Sequence, residues 1–91
     1  MFEWDEDKNA SNLEKHGFRF EDAISVFDDQ YALEVSDEIH PERFIRIGFS
    51  IYQGLIVVVY CETDKSKLRL ISARKANKQE QKTYAQTLRF F

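Results

Sequence analysis

Four stretches rich in β-branched and aromatic residues occupy the middle of the chain: Tyr31 to Ser36, Arg43 to Ile51, Leu55 to Glu62 and Leu68 to Ala73. Clusters of turn-forming and polar residues separate them, at Asp37 to Glu42, Tyr52-Gln53-Gly54 and Thr63 to Lys67, which predicts four strands. Connections this short require antiparallel neighbours. Ile56-Val57-Val58-Val59 is apolar at every position and belongs in the centre of the sheet, buried on both faces. Phe44-Ile45-Arg46-Ile47-Gly48 and Leu68-Arg69-Leu70-Ile71 instead alternate, placing Arg46 and Arg69 somewhere polar.

The flanks follow a different period. Phe2-Glu3-Trp4 suits a short strand, and Asp5 suits an N-cap followed by Glu6 and Asp7, where a helix dipole favours negative charge. The first helix therefore runs over about 6–16. Lys15 and His16 fall in its last turn, and Gly17 stands where a left-handed residue ends a helix. Phe20, Ala23, Ile24 and Phe27 predict a short second helix stopped by Asp28-Asp29. Asn77 with Glu80 three residues later makes a capping box for a third helix over about 78–90, with Tyr84, Leu88 and Phe91 on one stripe. The order predicts an α+β fold: two N-terminal helices, an antiparallel sheet of four to five strands and a C-terminal helix.

At 91 residues the chain supports one modest core, so a single domain over 1–91 is expected. Cys61 is the only cysteine, which excludes an internal disulfide and the usual structural zinc sets and fits a reducing cytoplasm. An acidic N-terminus argues against a signal peptide. The apolar run Leu55 to Cys61 is too short to span a bilayer. Net charge changes the picture most. Residues 1–42 hold 13 acidic and 3 basic side chains, or −10, whereas residues 43–91 hold 3 acidic and 10 basic, or +7. If the halves separate in space, the second offers a basic face to phosphates and the first meets a basic partner; if they interleave, they neutralise each other.

F-E-W-D at Phe2 to Asp5, a lysine at Lys8, N-x-x-K-H-G at Asn12 to Gly17 and F-E-x-A-x-x-V-F at Phe20 to Phe27 occur in that order. They are followed by I-G-x-S at Ile47 to Ser50, V-V-Y at Val58 to Tyr60 and I-S-A-R-K-A at Ile71 to Ala76. In this order and spacing the sequence resembles the BrnT family of type II toxin-antitoxin ribonuclease toxins. The resemblance implies a compact RelE-like fold, endoribonuclease activity that inhibits translation, and no metal or organic cofactor. It also implies neutralisation by a ribbon-helix-helix antitoxin, in a hetero-oligomer that reaches operator DNA only through the antitoxin.

Metal-independent RNA cleavage needs a base for the 2'-OH, an acid for the leaving 5'-oxygen and cations for the charge growing on the phosphoryl oxygens. Arginine suits the last task because its planar fork binds phosphate bidentately. Arg74, directly after the last strand, is the leading candidate, with Arg69 and Arg46 beside it; the competing reading for each is an ion pair with the acidic half. His16 is the titrating candidate, since histidine changes charge near neutrality, yet a cation at a helix C-terminus also has a purely structural use. Lys15 and Lys75 can each hold a phosphate as a point charge. Glu62, at the end of the central strand, is a candidate base. Tyr84 suits stacking on an RNA base, although its stripe argues first for core packing. Trp4 reads as an anchor, Glu80 as a cap and His40 as an exposed turn residue.

Two other functions compete. One is a non-catalytic toxin-like module that holds an antitoxin for autoregulation of its operon. The other, a metal hydrolase built on His16, His40 and Asp37, lacks any H-x-x-x-H or comparable ligand spacing.

Overall fold

A computed structural model describes residues 1–88. In chain order it contains β1 (Phe2–Glu3), α1 (Glu6–His16), α2 (Phe20–Ala23) running into a 3-10 turn (Ile24–Asp28), β2 (Leu33–Ser36), β3 (Arg43–Ser50), β4 (Gly54–Glu62), β5 (Leu68–Lys75) and α3 (Lys78–Leu88). The architecture is α+β, and the strands form one five-stranded sheet in the order β1-β5-β4-β3-β2. Phe91, expected on the α3 stripe, lies outside the described residues.

Strands β2 to β5 form the expected antiparallel meander. The sheet as a whole is nevertheless mixed. Strand β1 joins the outer side of β5 in parallel, with Phe2 beside Leu68 and Glu3 beside Arg69, and the Leu68 N–H donates to the Met1 carbonyl at 2.8 Å. The whole chain from α1 to β4 separates these two strands, so short-turn logic does not govern their direction.

The second helix is also shorter than its apolar spacing predicts, with one α turn before the 3-10 segment. Asp29 is the reason the chain departs there. Its carboxylate accepts from Tyr31 N (2.9 Å), Phe49 N (2.8 Å) and the Tyr84 hydroxyl (2.7 Å), while its carbonyl accepts from Ala32 N (3.2 Å). Residues 29–32 thus form a turn, and β2 begins at Leu33 instead of Tyr31. Burial raises the Asp29 pKa, but these donors outweigh it and hold the carboxyl below its ordinary value.

One face of the sheet carries the main core. Phe20, Ala23 and Val26 pack there on Ile56, Val58, Tyr60, Leu70 and Ala73, joined by Phe2, Trp4, Phe18, Phe27 and Leu68. On the other face Tyr84 and Ala76 pack on Ile47 and Val57. Two polar motifs serve this packing directly. A Cβ at Gly48 would lie 2.8 Å from Val26 Cγ2 and 2.9 Å from Ala32 Cβ, so the 3-10 segment approaches β3 through the space that glycine leaves. Fully buried Ser50 lies within hydrogen-bond reach of the Asp22 carbonyl (3.0 Å) and Gln53 Oε1 (2.7 Å), and accepts from Ser25 Oγ (3.1 Å).

A bulge in β5 decides which side chains share a face. Val59 pairs with Ser72 and Tyr60 with Leu70, leaving Ile71 unmatched. Simple alternation would put Arg69 and Arg74 on opposite faces, because they are five residues apart. With the extra residue, Arg69 (opposite Cys61), Ser72 (opposite Val59) and Arg74 (opposite Val57) all lie on the face of α3. Leu70 and Ala73 turn toward the main core.

Candidate functional site

Helix α1 is fixed at both ends by its own sequence. Asp5 accepts from Asp7 N (2.8 Å) and Lys8 N (3.3 Å), and Gly17 at φ 77° returns its N–H to the Leu13 carbonyl at 2.8 Å. Two buried asparagines then attach the helix to the rest of the fold. Asn9 accepts from Phe20 N and donates to Glu21 Oε1, both at 2.8 Å. Asn12 donates to the Ala73 carbonyl (2.8 Å) and the Phe18 carbonyl (2.9 Å), and accepts from Ala73 N (3.0 Å). Its amide therefore pairs with the backbone of β5 much as a neighbouring strand would.

That attachment aims one face of α1 at the bulge. Lys8, Ser11, Asn12, Lys15 and His16 follow helical spacing, and together with Ile71 and Ser72 they line a shallow hollow of about 210 Å³. Among the described residues no carboxylate lines it. Two lysines, a histidine and two hydroxyls thus surround one concavity, a set of side chains suited to attracting an anion. Lys15 and His16 are expected site residues from the sequence, whereas Lys8 and Ser72 are not among them. The i, i+7 relation between Lys8 and Lys15 carried that signal for Lys8; Ser72 depends on the bulge.

Arg69 and Glu62 come together elsewhere. They line a larger hollow of about 420 Å³ with Glu3, Cys61, Thr63, Asp64 and Lys65. Three carboxylates face two cations there, which makes it a poorer host for a phosphodiester despite its size. Arg69 is exposed and bound to Glu3, with Nη2 to Oε2 at 2.6 Å, and this hydrogen bond raises its pKa.

Arg74 lies two residues beyond Ser72 on the same face, roughly 7 Å along the strand. His16 lines the hollow beside Ser72, and Arg74 is not among its lining residues. The Arg74 fork is bidentate on Glu80, with Nη1 to Oε1 and Nη2 to Oε2 both at 2.8 Å. Glu80 Oε1 also accepts from Asn77 N (2.8 Å), and Asn77 Oδ1 accepts from Glu80 N (2.8 Å), so the capping box and the ion pair share one carboxylate. Arg74 holds the Glu80 carboxyl below its ordinary value. A carboxyl so depressed contributes stability above its unfolded pKa of about 4.3, and that stability is lost as pH falls through the lower folded value. Thermal unfolding followed from pH 7 to pH 3 should therefore show an acid loss that Glu80→Gln reduces.

The remaining candidates are placed as follows. Arg46 stands opposite Val58, on the sheet face away from Arg69 and Arg74. Its guanidinium donates to the Val26 and Asp29 carbonyls (both 3.2 Å), lies 3.5 Å from Glu34 and sits 5.4 Å from the centre of the Phe27 ring. Those contacts tie the 3-10 segment to the sheet and leave it little freedom to reach RNA. Lys75 is exposed opposite Ile56. Tyr84 is 8% exposed, its ring is part of the second core cluster, and its hydroxyl, with its pKa pushed up to about 12 by burial and Asp29, donates to that carboxylate. This is the packing reading, and a buried ring offers no stacking surface. Trp4 packs edge-on against Phe20 and donates to Glu6. His40 sits in the turn beyond β2, 3.8 Å from Glu42. Among the described residues no three of His, Cys, Asp and Glu are grouped as a metal-ligand set, and no described helix is long and apolar enough to cross a membrane.

Comparison with known proteins bears on this geometry. The profile of the family described as "Ribonuclease toxin, BrnT, of type II toxin-antitoxin system" matches residues 4–80, which include α1, the whole sheet beyond β1 and the start of α3. The crystal structure of the Brucella abortus ribonuclease toxin BrnT is similar at a TM-score of 0.72 and 29% identity, over 86% of this chain and 99% of that one. No curated protein sequence matches. With the profile covering most of its length, the chain belongs to the BrnT family of ribonuclease toxins of type II toxin-antitoxin systems.

Proposed function

We propose that this chain is itself an active endoribonuclease, and that the RNA phosphate to be cleaved sits in the hollow between α1 and the β5 bulge. The observation that carries this reading is the convergence of Lys8, Lys15 and His16 with Ser72 around a concavity that no carboxylate of the described residues lines. In the reaction the 2'-oxygen bonds to phosphorus as the bond to the 5'-oxygen breaks. A proton leaves the 2'-hydroxyl and another reaches the departing 5'-oxygen. His16 is the group in the hollow suited to carry one of these protons, water exchanges the other, and Lys8 and Lys15 neutralise the charge growing on the phosphoryl oxygens. Arg74, two residues from Ser72, reaches a neighbouring phosphate of the strand by giving up its fork on Glu80. The scheme asks for a water and side chains of this chain, and assigns no step to a metal.

The same proposal extends to the finer biology. RNA cleavage halts translation in the cytoplasm. A ribbon-helix-helix antitoxin forms a hetero-oligomer with the toxin and connects it to operator DNA. Lys15→Ala and His16→Ala should each lower the RNA cleavage rate of purified protein about 100-fold, while urea unfolding shows the fold intact. A His16→Ala protein that cleaves normally yet unfolds earlier would assign the histidine to helix capping alone.

One observation favours the non-catalytic module. Arg69 and Arg74, the two arginines on the α3 face of β5, are both held by carboxylates. Growth after induced expression separates the readings, since a pure binding module leaves growth unchanged.

A further inference from the structure

The two edges of the sheet are opposite in character. The β5 side carries the cationic hollow, whereas the far edge is β2, which has no strand beside it among the described residues. Strand β2 pairs in regular register with β3 over all four residues, with no bulge, proline or lysine to discourage pairing along its outer side. Alternate residues of such an edge direct their N–H and C=O groups outward.

Its surroundings define what fits there. Val35 is 49% exposed and Ile39, in the following turn, is 82% exposed, giving an apolar pair. Residues 20–42 contain eight carboxylates and no lysine or arginine. Of these, Glu38 and Glu42 flank Ile39 and are exposed, and Asp37 is committed to the turn through Ile39 N (2.9 Å) and His40 N (3.1 Å). Glu34, exposed on β2, adds a carboxylate that Arg46 already partly neutralises at 3.5 Å.

We infer that the β2 edge is the docking surface for the antitoxin, which adds an extended, basic segment as a sixth strand. Backbone pairing supplies the frame, an apolar side chain of the segment covers Val35 and Ile39, and its lysines or arginines meet Glu34, Glu38 and Glu42. The charge argues against other occupants. RNA is repelled by these carboxylates, and a second copy would bring the same carboxylates against themselves. The inference rests on the family's antitoxin partnership. It separates the antitoxin's anchor from the RNA hollow, so the two surfaces respond independently to substitution.

The test uses the full chain and the antitoxin produced from the reading frame adjoining its gene. Hydrogen exchange should slow at the amides of residues 33–36 when that antitoxin is added. Glu38→Lys combined with Glu42→Lys should weaken the complex at least about tenfold, with the RNA cleavage rate unchanged. A complex that leaves the 33–36 amides exchanging freely overturns the docking surface while preserving the partnership. Failure of the adjoining product to bind at all overturns the partnership and the surface together.

Discussion

Asn12→Ala will destabilise this protein by about 3 kcal/mol, lowering its midpoint of thermal unfolding by roughly 15 °C. The substitution removes no apolar packing. It deletes one amide that serves the Ala73 N–H, the Ala73 carbonyl and the Phe18 carbonyl, at a position 5% exposed. Each group left without a partner costs about 1–3 kcal/mol, and water entering from the neighbouring hollow offsets part of the sum. Asn12→Asp discriminates further. A carboxylate still accepts from Ala73 N, but it faces two carbonyl oxygens with no proton to offer, so it recovers only a minor part of the loss. Urea unfolding of both variants provides the measurement. A loss under about 1 kcal/mol for Asn12→Ala would show that α1 is held by other contacts, because the three bonds would then be readily replaced by water.

Gly48→Ala is expected to cost a similar amount, about 3 kcal/mol, through crowding. The added methyl would meet Val26 Cγ2 at 2.8 Å, Ala32 Cβ at 2.9 Å and Asp29 Oδ2 at 3.2 Å. Val26 is fully buried, and Asp29 is fixed by three donors, so neither neighbour can yield by a rotamer change. The 3-10 segment must move off β3 as a unit, loosening the Arg46 bonds to Val26 and Asp29. Gly17→Ala makes a useful contrast. Gly17 has open space around its Cβ position, and its positive φ alone opposes the change, so the expected loss is about 1 kcal/mol. Equal losses at the two glycines, measured by the same denaturant titration, would contradict the close-approach explanation.

These two residues also show what the amino-acid sequence makes legible. The Asp5 and Gly17 caps, the three short connections of the meander and the Asn77-Glu80 box all follow local rules, and the elements they bound form close to where those rules place them, except that β5 runs on to Lys75 and so holds Arg74 within the strand instead of after it. The failures are non-local. Strand β1 joins β5 across most of the chain, and the Ile71 bulge that reunites Arg69 with Arg74 has no local mark in Leu68 to Lys75. Arg46 looks like Arg69 in its alternation, yet register with Val58 sends it to the other face.

The site was half legible for the same reason. Lys15 and His16 drew attention through an ordered motif, but Asn12, in the same motif, is what carries them to β5. Helix-ending rules explain Lys15-His16-Gly17 fully, and they still do. The hollow adds that Lys15 and His16 share its lining with Ser72, and that no carboxylate of the described residues joins them, so the helix end also belongs to the proposed site. Arg74 stands beside that feature and is held in place by Glu80.

Metal-independent cleavage of RNA by this chain is tested most directly by a gel assay of purified wild-type protein with single-stranded RNA in excess EDTA. Shortened RNA is expected, at a rate unaffected by the chelator, with 2',3'-cyclic phosphate and 5'-hydroxyl ends from attack by the 2'-oxygen. RNA that stays intact with protein in excess, or is cut only after a divalent metal is restored, would contradict it.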